Sequence, residues 1–167
     1  MNIAEEKKIL ENFCKTIPVA IFGPDRVHYI LENIDKLKEG EKLVLRKFYN
    51  KLLTNMIEKE ASDIEIGGHG NVGYVWMRIY GNKERVKEIA QFSNDESATI
   101  IINLLNVSQR EQLAKKRNLD FSYTFLYERR NINVRFRSDA YFDLDTLSMN
   151  MRSISQTIRP LSSLDFH

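Results

Sequence analysis

Three consecutive stretches near the end of the chain alternate apolar and polar residues with a period of two. The odd-numbered residues are apolar or aromatic in 119–127, the even-numbered ones in 132–142 except Ser138, and the odd-numbered ones again in 147–154 except Ser153. Because successive side chains of a strand point to opposite faces, each stretch predicts a β-strand with one buried face. The connections between them are short and rich in polar residues, so we expect an antiparallel meander of three strands.

Helical spacing dominates the first sixty residues. Apolar residues spaced about 3.6 apart predict a helix that ends near Pro18, a second from Pro24 to a break at Gly40, and a third over 41–60. The sequence therefore predicts an amino-terminal helical extension of about three helices, residues 1–60.

The strand pattern returns after residue 60. Residues 63–66 alternate, and so do residues 74–80, which gives two further strands. The pair Gly81-Asn82 is typical of a tight hairpin turn and predicts a third strand over 83–90.

Two capping boxes follow these strands. Ser93 precedes Glu96 by three residues, and Ser108 precedes Glu111 by three, so each pair predicts the start of a helix. The predicted order is three helices, three strands, two helices and three strands. Strands grouped around a helical pair indicate an α+β fold with a mostly antiparallel sheet.

A glycine cluster at Gly67, Gly68, Gly70 and Gly73 lies between the first two of these strands. Glycine-rich loops can bind phosphates, but a P-loop also needs Gly-Lys-Ser/Thr at the start of a helix. Here a strand follows, so we predict a flexible connection and no phosphate loop.

Composition narrows the function classes. The 167 residues carry 25 Lys and Arg against 23 Asp and Glu, a net charge of +2, which gives little support to nucleic-acid binding. No apolar run is long enough to insert into a membrane and no signal peptide is visible, so we expect a cytoplasmic location. The single cysteine, Cys14, lies on an apolar helical stripe and predicts a buried thiol. The histidines have no partners at metal-ligand spacing, and no metal site is expected.

The arginines are the candidate functional residues. Beyond Arg117 the chain has six arginines and no lysine, whereas its first sixty residues have nine lysines and two arginines. The strand pattern places Arg135, Arg137 and Arg152 on one polar sheet face. Because the guanidinium binds phosphate or carboxylate with two parallel hydrogen bonds, this bias favours anion binding.

Two other interpretations stay open for the polar residues of the sheet. The arginines could instead pair with neighbouring carboxylates on a solvated face, the candidates being Asp120, Asp139 and Glu128. Trp76, with Tyr74 and Tyr80 on the same predicted strand, could stack on a base, although strand aromatics more often belong to a core or an interface.

Motifs spread along the second part of the chain resemble the amino-terminal, PAS-like domain of type IV pilus retraction and type II secretion ATPases. They are Ala-Ser-Asp-Ile-Glu-Ile at 61–66, the hairpin at 77–81, Leu-Asp-Phe at 119–121, Val-Arg-Phe-Arg at 134–137 and Arg-Ser-Ile at 152–154. A further match, at 158–164, resembles the exit of this domain into the motor domain. The resemblance implies a PAS-like domain over 61–158 and the start of a linker over 159–167.

The sequence departs from the family pattern in several places. Glu65 stands where the family has histidine, and Ser138-Asp139 stand where it has Val-Asn. The helices before residue 41 extend beyond the usual start of the family. No Gly-x-x-x-x-Gly-Lys-Ser/Thr is present, so this chain alone is not expected to hydrolyse ATP and is expected to be a fragment of a longer P-loop ATPase.

The resemblance also implies a function. By this resemblance, the chain is expected to be a regulatory, nucleotide-sensing domain of a hexameric secretion or pilus motor. Arg135, Arg137 and Arg152 are then expected to contact the phosphates of ATP at the interface with the motor domain. The expected cofactors of the full-length protein are ATP and Mg²⁺. The expected partners are the motor domain, neighbouring subunits and inner-membrane platform proteins. The alternative is a free-standing PAS-like sensor or adaptor that binds a small ligand or a partner protein.

Overall fold

The computed structural model describes residues 1–154, which form five α-helices and six β-strands. The helices are α1 Ala4–Cys14, α2 Pro24–Asn33, α3 Glu39–Glu58, α4 Asn94–Asn103 and α5 Val107–Lys116. The strands are β1 Asp63–Gly67, β2 Trp76–Ile79, β3 Asn82–Arg85, β4 Asn118–Tyr127, β5 Ile132–Asp143 and β6 Thr146–Ser153. Short 3-10 turns occupy Ile34–Lys36, His69–Asn71 and Glu128–Arg130. The linker prediction for 159–167 lies outside the described residues.

All six strands belong to one antiparallel sheet in the order β3-β2-β1-β6-β5-β4. Each half of the sheet is a three-stranded meander, and the two halves meet where β1 pairs with β6. The predicted α+β fold and mostly antiparallel sheet are confirmed. The predicted meander of the last three strands is confirmed as well.

Helix α4 is the centre of the molecule, because it is buried on all sides. It packs against β6 and β1 on one side and against α1, α2 and α3 on the other. Its residues Ile100, Ile101 and Ile102 are at most 1% exposed, and each such side chain contributes about 1.5–3 kcal/mol through burial. The amino-terminal helices and the sheet therefore share one core. The domain boundary between 1–60 and 61–158 stays a prediction.

Two ion pairs also join the amino-terminal helices to α4. The Lys7 ammonium of α1 lies 2.9 Å from the Glu96 carboxylate, and the Arg26 guanidinium of α2 lies 2.8 Å from the Asp95 carboxylate. Both acids lie in the first turn of α4, where negative charge also interacts favourably with the helix dipole.

The predicted helix break at Gly40 is wrong. Helix α2 ends at Asn33, a 3-10 turn follows, and Gly40 lies in the first turn of α3. The chain turns into α3 at Lys38, whose backbone is extended and whose N–H donates to the Glu41 carboxylate at 2.9 Å. Gly40 does not have the left-handed backbone of a glycine that ends a helix, so the helix continues through it.

One predicted capping box is confirmed and the other is displaced. Ser93 Oγ accepts from the Glu96 N–H at 3.1 Å, and the Ser93 N–H donates to the Glu96 carboxylate at 2.9 Å. The N-cap of the second helix, Asn106, lies two residues before the predicted Ser108. Its box pairs Asn106 with Gln109, at 2.8 and 2.9 Å, because asparagine is as good an N-cap as serine and glutamine can replace glutamate.

The first hairpin is also shorter than predicted. Strand β3 covers only Asn82–Arg85, not 83–90. Ile79 pairs with Asn82, so the two turn residues are Tyr80 and Gly81. Both have positive φ, 49° and 81°, which is the backbone of the tight hairpin turn, displaced by one residue from the predicted pair.

Candidate functional site

The face of the sheet opposite α4, which we call the open face, carries the polar side chains of the strands. Residues in register on antiparallel strands share a face, so the open face consists of rows that cross all six strands. One row is strongly basic. It runs from β3 to β4 through Lys83, Arg78, Asp63, Arg152, Arg137 and Ser122.

The three predicted arginines lie together on this face. Arg137 of β5 is directly opposite Arg152 of β6, and their register places them in a hydrogen-bonded pair, with Cα atoms about 5.5 Å apart. Arg135 lies two residues from Arg137 and diagonal to Arg152, a spacing of about 7–8 Å. All three are exposed. The prediction that they share one face is confirmed, and their contact with a nucleotide stays a prediction.

Few groups neutralise these arginines. The Arg152 Nε donates to Asp63 Oδ1 at 3.2 Å, and the Arg152 side chain is still 71% exposed. The Arg135 Nη2 donates to Ser122 Oγ at 3.2 Å. Within residues 1–154 Arg137 makes no ion pair and no side-chain hydrogen bond, and none of the three arginines pairs with Asp120, Asp139 or Glu128. The alternative in which these acids neutralise the arginines is therefore not what the structure shows.

Asp63 positions Arg152. Its carboxylate is 5% exposed although it lies on the open face, and its two oxygens accept from Ser62 Oγ at 2.7 Å and from Arg152 at 3.2 Å. A buried carboxylate with one remaining strong donor holds that donor in place. Sequence reasoning missed this role, because β1 and β6 are far apart in the chain and only their register brings Asp63 to Arg152.

An acidic row lies next to the basic one. It contains Glu65, Asn150, Asp139 and Asp120 on four consecutive strands. Burial, and then the neighbouring Asp120 carboxyl, raise the pKa of Asp139 above its ordinary value. The Glu65 carboxylate forms an ion pair with the Lys83 ammonium at 3.0 Å, so the charge of Lys83 is neutralised within the sheet. An anion on the open face is therefore repelled from this row and attracted to the side where Arg135, Arg137 and Arg152 lie.

The aromatic alternative receives little support. The Trp76 indole N–H donates to the Asn71 carbonyl at 3.0 Å, and the Lys83 ammonium lies over the indole ring, 5.2 Å from its centroid. The Arg85 guanidinium covers Tyr74 in the same way at 4.4 Å. The Trp76 and Tyr74 rings already contact cations within the fold. Tyr80 lies in the hairpin turn, 81% exposed, and its hydroxyl donates to the Glu60 carboxylate at 2.9 Å.

The glycine cluster has a packing role. Gly67 and Gly73 have φ of +77° and +79°, and a Cβ at these positions would overlap the carbonyl oxygens of Leu147 and Phe92. The chain between them forms a 3-10 turn that buries Asn71. These glycines are needed for close backbone approach, a signal that sequence spacing alone did not separate from loop flexibility.

Residues 1–154 offer no support for a metal site, a membrane-spanning helix or a reactive thiol. Residues 1–154 contain no group of three or more His, Cys, Asp or Glu side chains able to hold a metal ion. None of the described helices is both long and apolar enough to cross a membrane. Burial raises the pKa of the Cys14 thiol to about 12, so the reactive thiolate is scarce at neutral pH.

This chain is similar to several proteins of known structure. No family model and no curated protein matches the chain. The crystal structure of the pilus retraction motor PilT with bound ADP superposes with a TM-score of 0.58 at 20% identity, over 70% of this chain and 32% of PilT. The ATPase DotB of Legionella pneumophila gives 0.53 at 22% identity over 72% of this chain, and that of Yersinia pseudotuberculosis 0.55 at 18% over 78%.

These matches concern the fold. The chain spans about a third of the length of each of the three structures. The resemblance to pilus retraction and secretion ATPases, seen first in short sequence motifs, is thus confirmed as a shared fold with PilT and DotB.

Proposed function

We propose that this chain is a regulatory, nucleotide-sensing domain at the amino-terminal side of a hexameric secretion or type IV pilus motor ATPase. In this proposal Arg135, Arg137 and Arg152 contribute to an ATP site at the interface with the motor domain. The fold shared with PilT and DotB supports the class of protein. The arrangement of the arginines on the open face supports the role of the domain.

The observation that carries the proposal is the direct opposition of Arg137 and Arg152. Like charges opposite each other across two strands destabilise a sheet. Within residues 1–154 the one carboxylate bonded to either arginine is Asp63, through a single hydrogen bond to Arg152. A bound polyphosphate would relieve this repulsion and would accept several charge-assisted hydrogen bonds from the guanidinium groups. Arginine that neutralises a transferring phosphoryl group needs no proton transfer, so these side chains require no unusual pKa.

The residues of this chain fit only part of a Mg²⁺-ATP complex. The arginines are suited to phosphate oxygens, whereas the described residues offer no cluster of ligands for the metal. In the proposed assembly Mg²⁺ is held by the motor domain. This chain binds and orients the phosphates and responds to the loss of the γ-phosphate. Neighbouring subunits and membrane platform proteins are its proposed partners.

A nucleotide titration of the 167-residue chain tests the proposal directly. We expect ATP to shift backbone amide NMR signals of β5 and β6 around Arg137 and Arg152, ADP to shift them less, and adenosine to leave them unchanged. The variant Arg137→Ala/Arg152→Ala should lose the response.

The matched control is Arg129→Ala/Arg130→Ala. It removes the same charge from the 3-10 turn between β4 and β5, away from the basic row. If both double variants lose the ATP response equally, the effect reflects net charge alone. The open face would then not be the nucleotide site.

A further inference from the structure

The two edges of the sheet differ in how well they are protected. Strand β3 has only four residues, Asn-Lys-Glu-Arg, and its length and charges discourage pairing with another chain. Strand β4 has ten residues, and none after Asp120 is charged. A long, uncharged edge strand is a template for an additional strand unless something covers it.

The backbone groups on the outer side of β4 are identified by the hydrogen-bond pattern. The Phe142 N–H donates to the Arg117 carbonyl at 3.0 Å, which makes this pair a hydrogen-bonded one. Because such pairs alternate along an antiparallel ladder, the odd-numbered residues of β4 bond to β5. Ser122, Thr124 and Leu126 therefore direct their N–H and C=O groups outward, where the described residues supply no partner.

A groove runs along the second half of this edge. Its volume is about 600 Å³, and it lies between α3 and the end of β4. The Tyr123 hydroxyl donates to Asn50 Oδ1 at 2.6 Å near one end, and Arg129 pairs with Glu58 at 3.1 Å near the other. These contacts show that α3 and β4 run side by side in the same direction. An edge strand beside a helix is the geometry by which some domains accept an extended peptide.

The groove has an apolar part and a cationic part. Leu126, 48% exposed, lines it near the Arg129 end, while Lys47 and Lys51 project from successive turns of α3 near the Asn50 end. Neither lysine makes an ion pair within residues 1–154. Charge complementarity therefore favours an occupant with negative charge at the Asn50 end.

We propose that this groove binds an extended peptide segment of a partner protein, which adds as a strand to the outer edge of β4. The segment runs antiparallel to β4, the more stable pairing, so its carboxyl end lies beside Lys47 and Lys51. It carries acidic groups at that end and an apolar side chain near Leu126. About five residues, or roughly 17 Å of extended chain, cover the stretch from Ser122 to Leu126. This site is the outer backbone edge of β4, whereas the three arginines lie on β5 and β6; Arg135 contacts β4 through its hydrogen bond to Ser122 Oγ.

Synthetic peptides provide the probe. One is a fluorescein-labelled peptide of alternating valine and threonine that ends in two aspartates, and the matched peptide ends in two lysines. We expect the acidic peptide to bind the 167-residue chain at least about tenfold more tightly in fluorescence anisotropy. If neither peptide binds up to about 1 mM, or both bind equally, the proposal is overturned.

Two variants locate the binding. Thr124→Pro removes an outward N–H but no bond to β5, and proline is tolerated at such edge positions, so it should weaken binding about tenfold without unfolding the chain. Lys47→Glu/Lys51→Glu should weaken binding of the acidic peptide and strengthen binding of the basic one. Its control, Lys8→Glu/Lys15→Glu, makes the same charge change at exposed positions of α1 and just after it, and should leave binding unchanged.

Two results would overturn the assignment. The first is binding by Thr124→Pro and by Lys47→Glu/Lys51→Glu at the wild-type level. The second is a wild-type dimer, seen by sedimentation, that Thr124→Pro dissociates while the peptide fails to bind. In that case the occupant of the β4 edge is a second copy of this chain.

Discussion

Asp120 of β4 lies directly opposite Asp139 of β5, so two carboxyl groups face each other in the row next to the opposed arginines Arg137 and Arg152. Like charges opposite each other are unfavourable in a sheet, and the open face contains both kinds of pair side by side. Because the two pairs have opposite charge, each attracts the other across the row. This attraction partly offsets the repulsion within each pair.

The carboxyl pair makes stability depend on pH. Burial and the Asp120 carboxyl raise the pKa of Asp139 above its ordinary value of 3.8. Between 3.8 and the raised value the folded chain binds more protons than the unfolded chain, so the free energy of unfolding falls as pH rises through this window. We expect Asp139→Asn to be more stable than wild type at pH 7, by about 0.2–1 kcal/mol, and to lose this advantage below the window. Denaturant unfolding at several pH values measures it.

Asp120→Asn is the matched variant, because it removes the other half of the same repulsion. Its gain at pH 7 should be similar in sign, and the gains of the two variants should not add in Asp120→Asn/Asp139→Asn. Additive gains would mean that the carboxyl groups do not interact.

The two capping boxes give a second prediction. Ser93→Ala and Asn106→Ala each remove a side-chain acceptor at a helix start, and each should lower the free energy of unfolding by about 1 kcal/mol. Ser108→Ala should have little effect, since Ser108 lies inside the first turn of α5. Thermal unfolding of the three variants distinguishes them. A large loss for Ser108→Ala with none for Asn106→Ala would restore the helix start predicted from sequence.

Capping boxes predicted α4 and α5. Periodicity predicted the final meander, because burial of one sheet face imposes a repeat of two on the strand residues. The exact helix start was ambiguous, because Asn106 and Ser108 both precede a suitable residue by three positions and only the packing of the helix selects one.

Contacts between strands that are distant in the chain could not be predicted from the sequence pattern, for a different reason. The shared face of Arg135, Arg137 and Arg152 follows from alternation within one meander, and it was predicted. The Asp63–Arg152 pair depends on the register between β1 and β6, which are separated by most of the sheet domain. No local pattern specifies that register, so the residue that positions Arg152 appears only in the structure.

The glycines give a third prediction, with opposite signs at two positions. Gly67→Ala places a Cβ against the Leu147 carbonyl at a φ of +77°, and should destabilise the fold by about 2–4 kcal/mol. Gly40→Ala has open space and lies in the first turn of α3, so it should be neutral or stabilise by up to about 1 kcal/mol. Chemical denaturation measures both. A neutral Gly67→Ala would show that the backbone there can move, as the flexible connection predicted from sequence requires.

The last prediction concerns the arginines in the ATPase to which we propose this domain belongs. Lysine keeps the positive charge but cannot form two parallel hydrogen bonds with a phosphate. Arg137→Lys and Arg152→Lys, made in that proposed ATPase, should therefore lower the ATPase rate by at least about tenfold, a modest fraction of what an arginine finger contributes. Arg129→Lys is the control, because Arg129 pairs with Glu58 away from the basic row and should leave the rate unchanged. Unchanged thermal unfolding would show that neither substitution acts through the fold. If all three variants hydrolyse ATP at the wild-type rate, the opposed arginines stabilise or solubilise the sheet and do not serve the nucleotide.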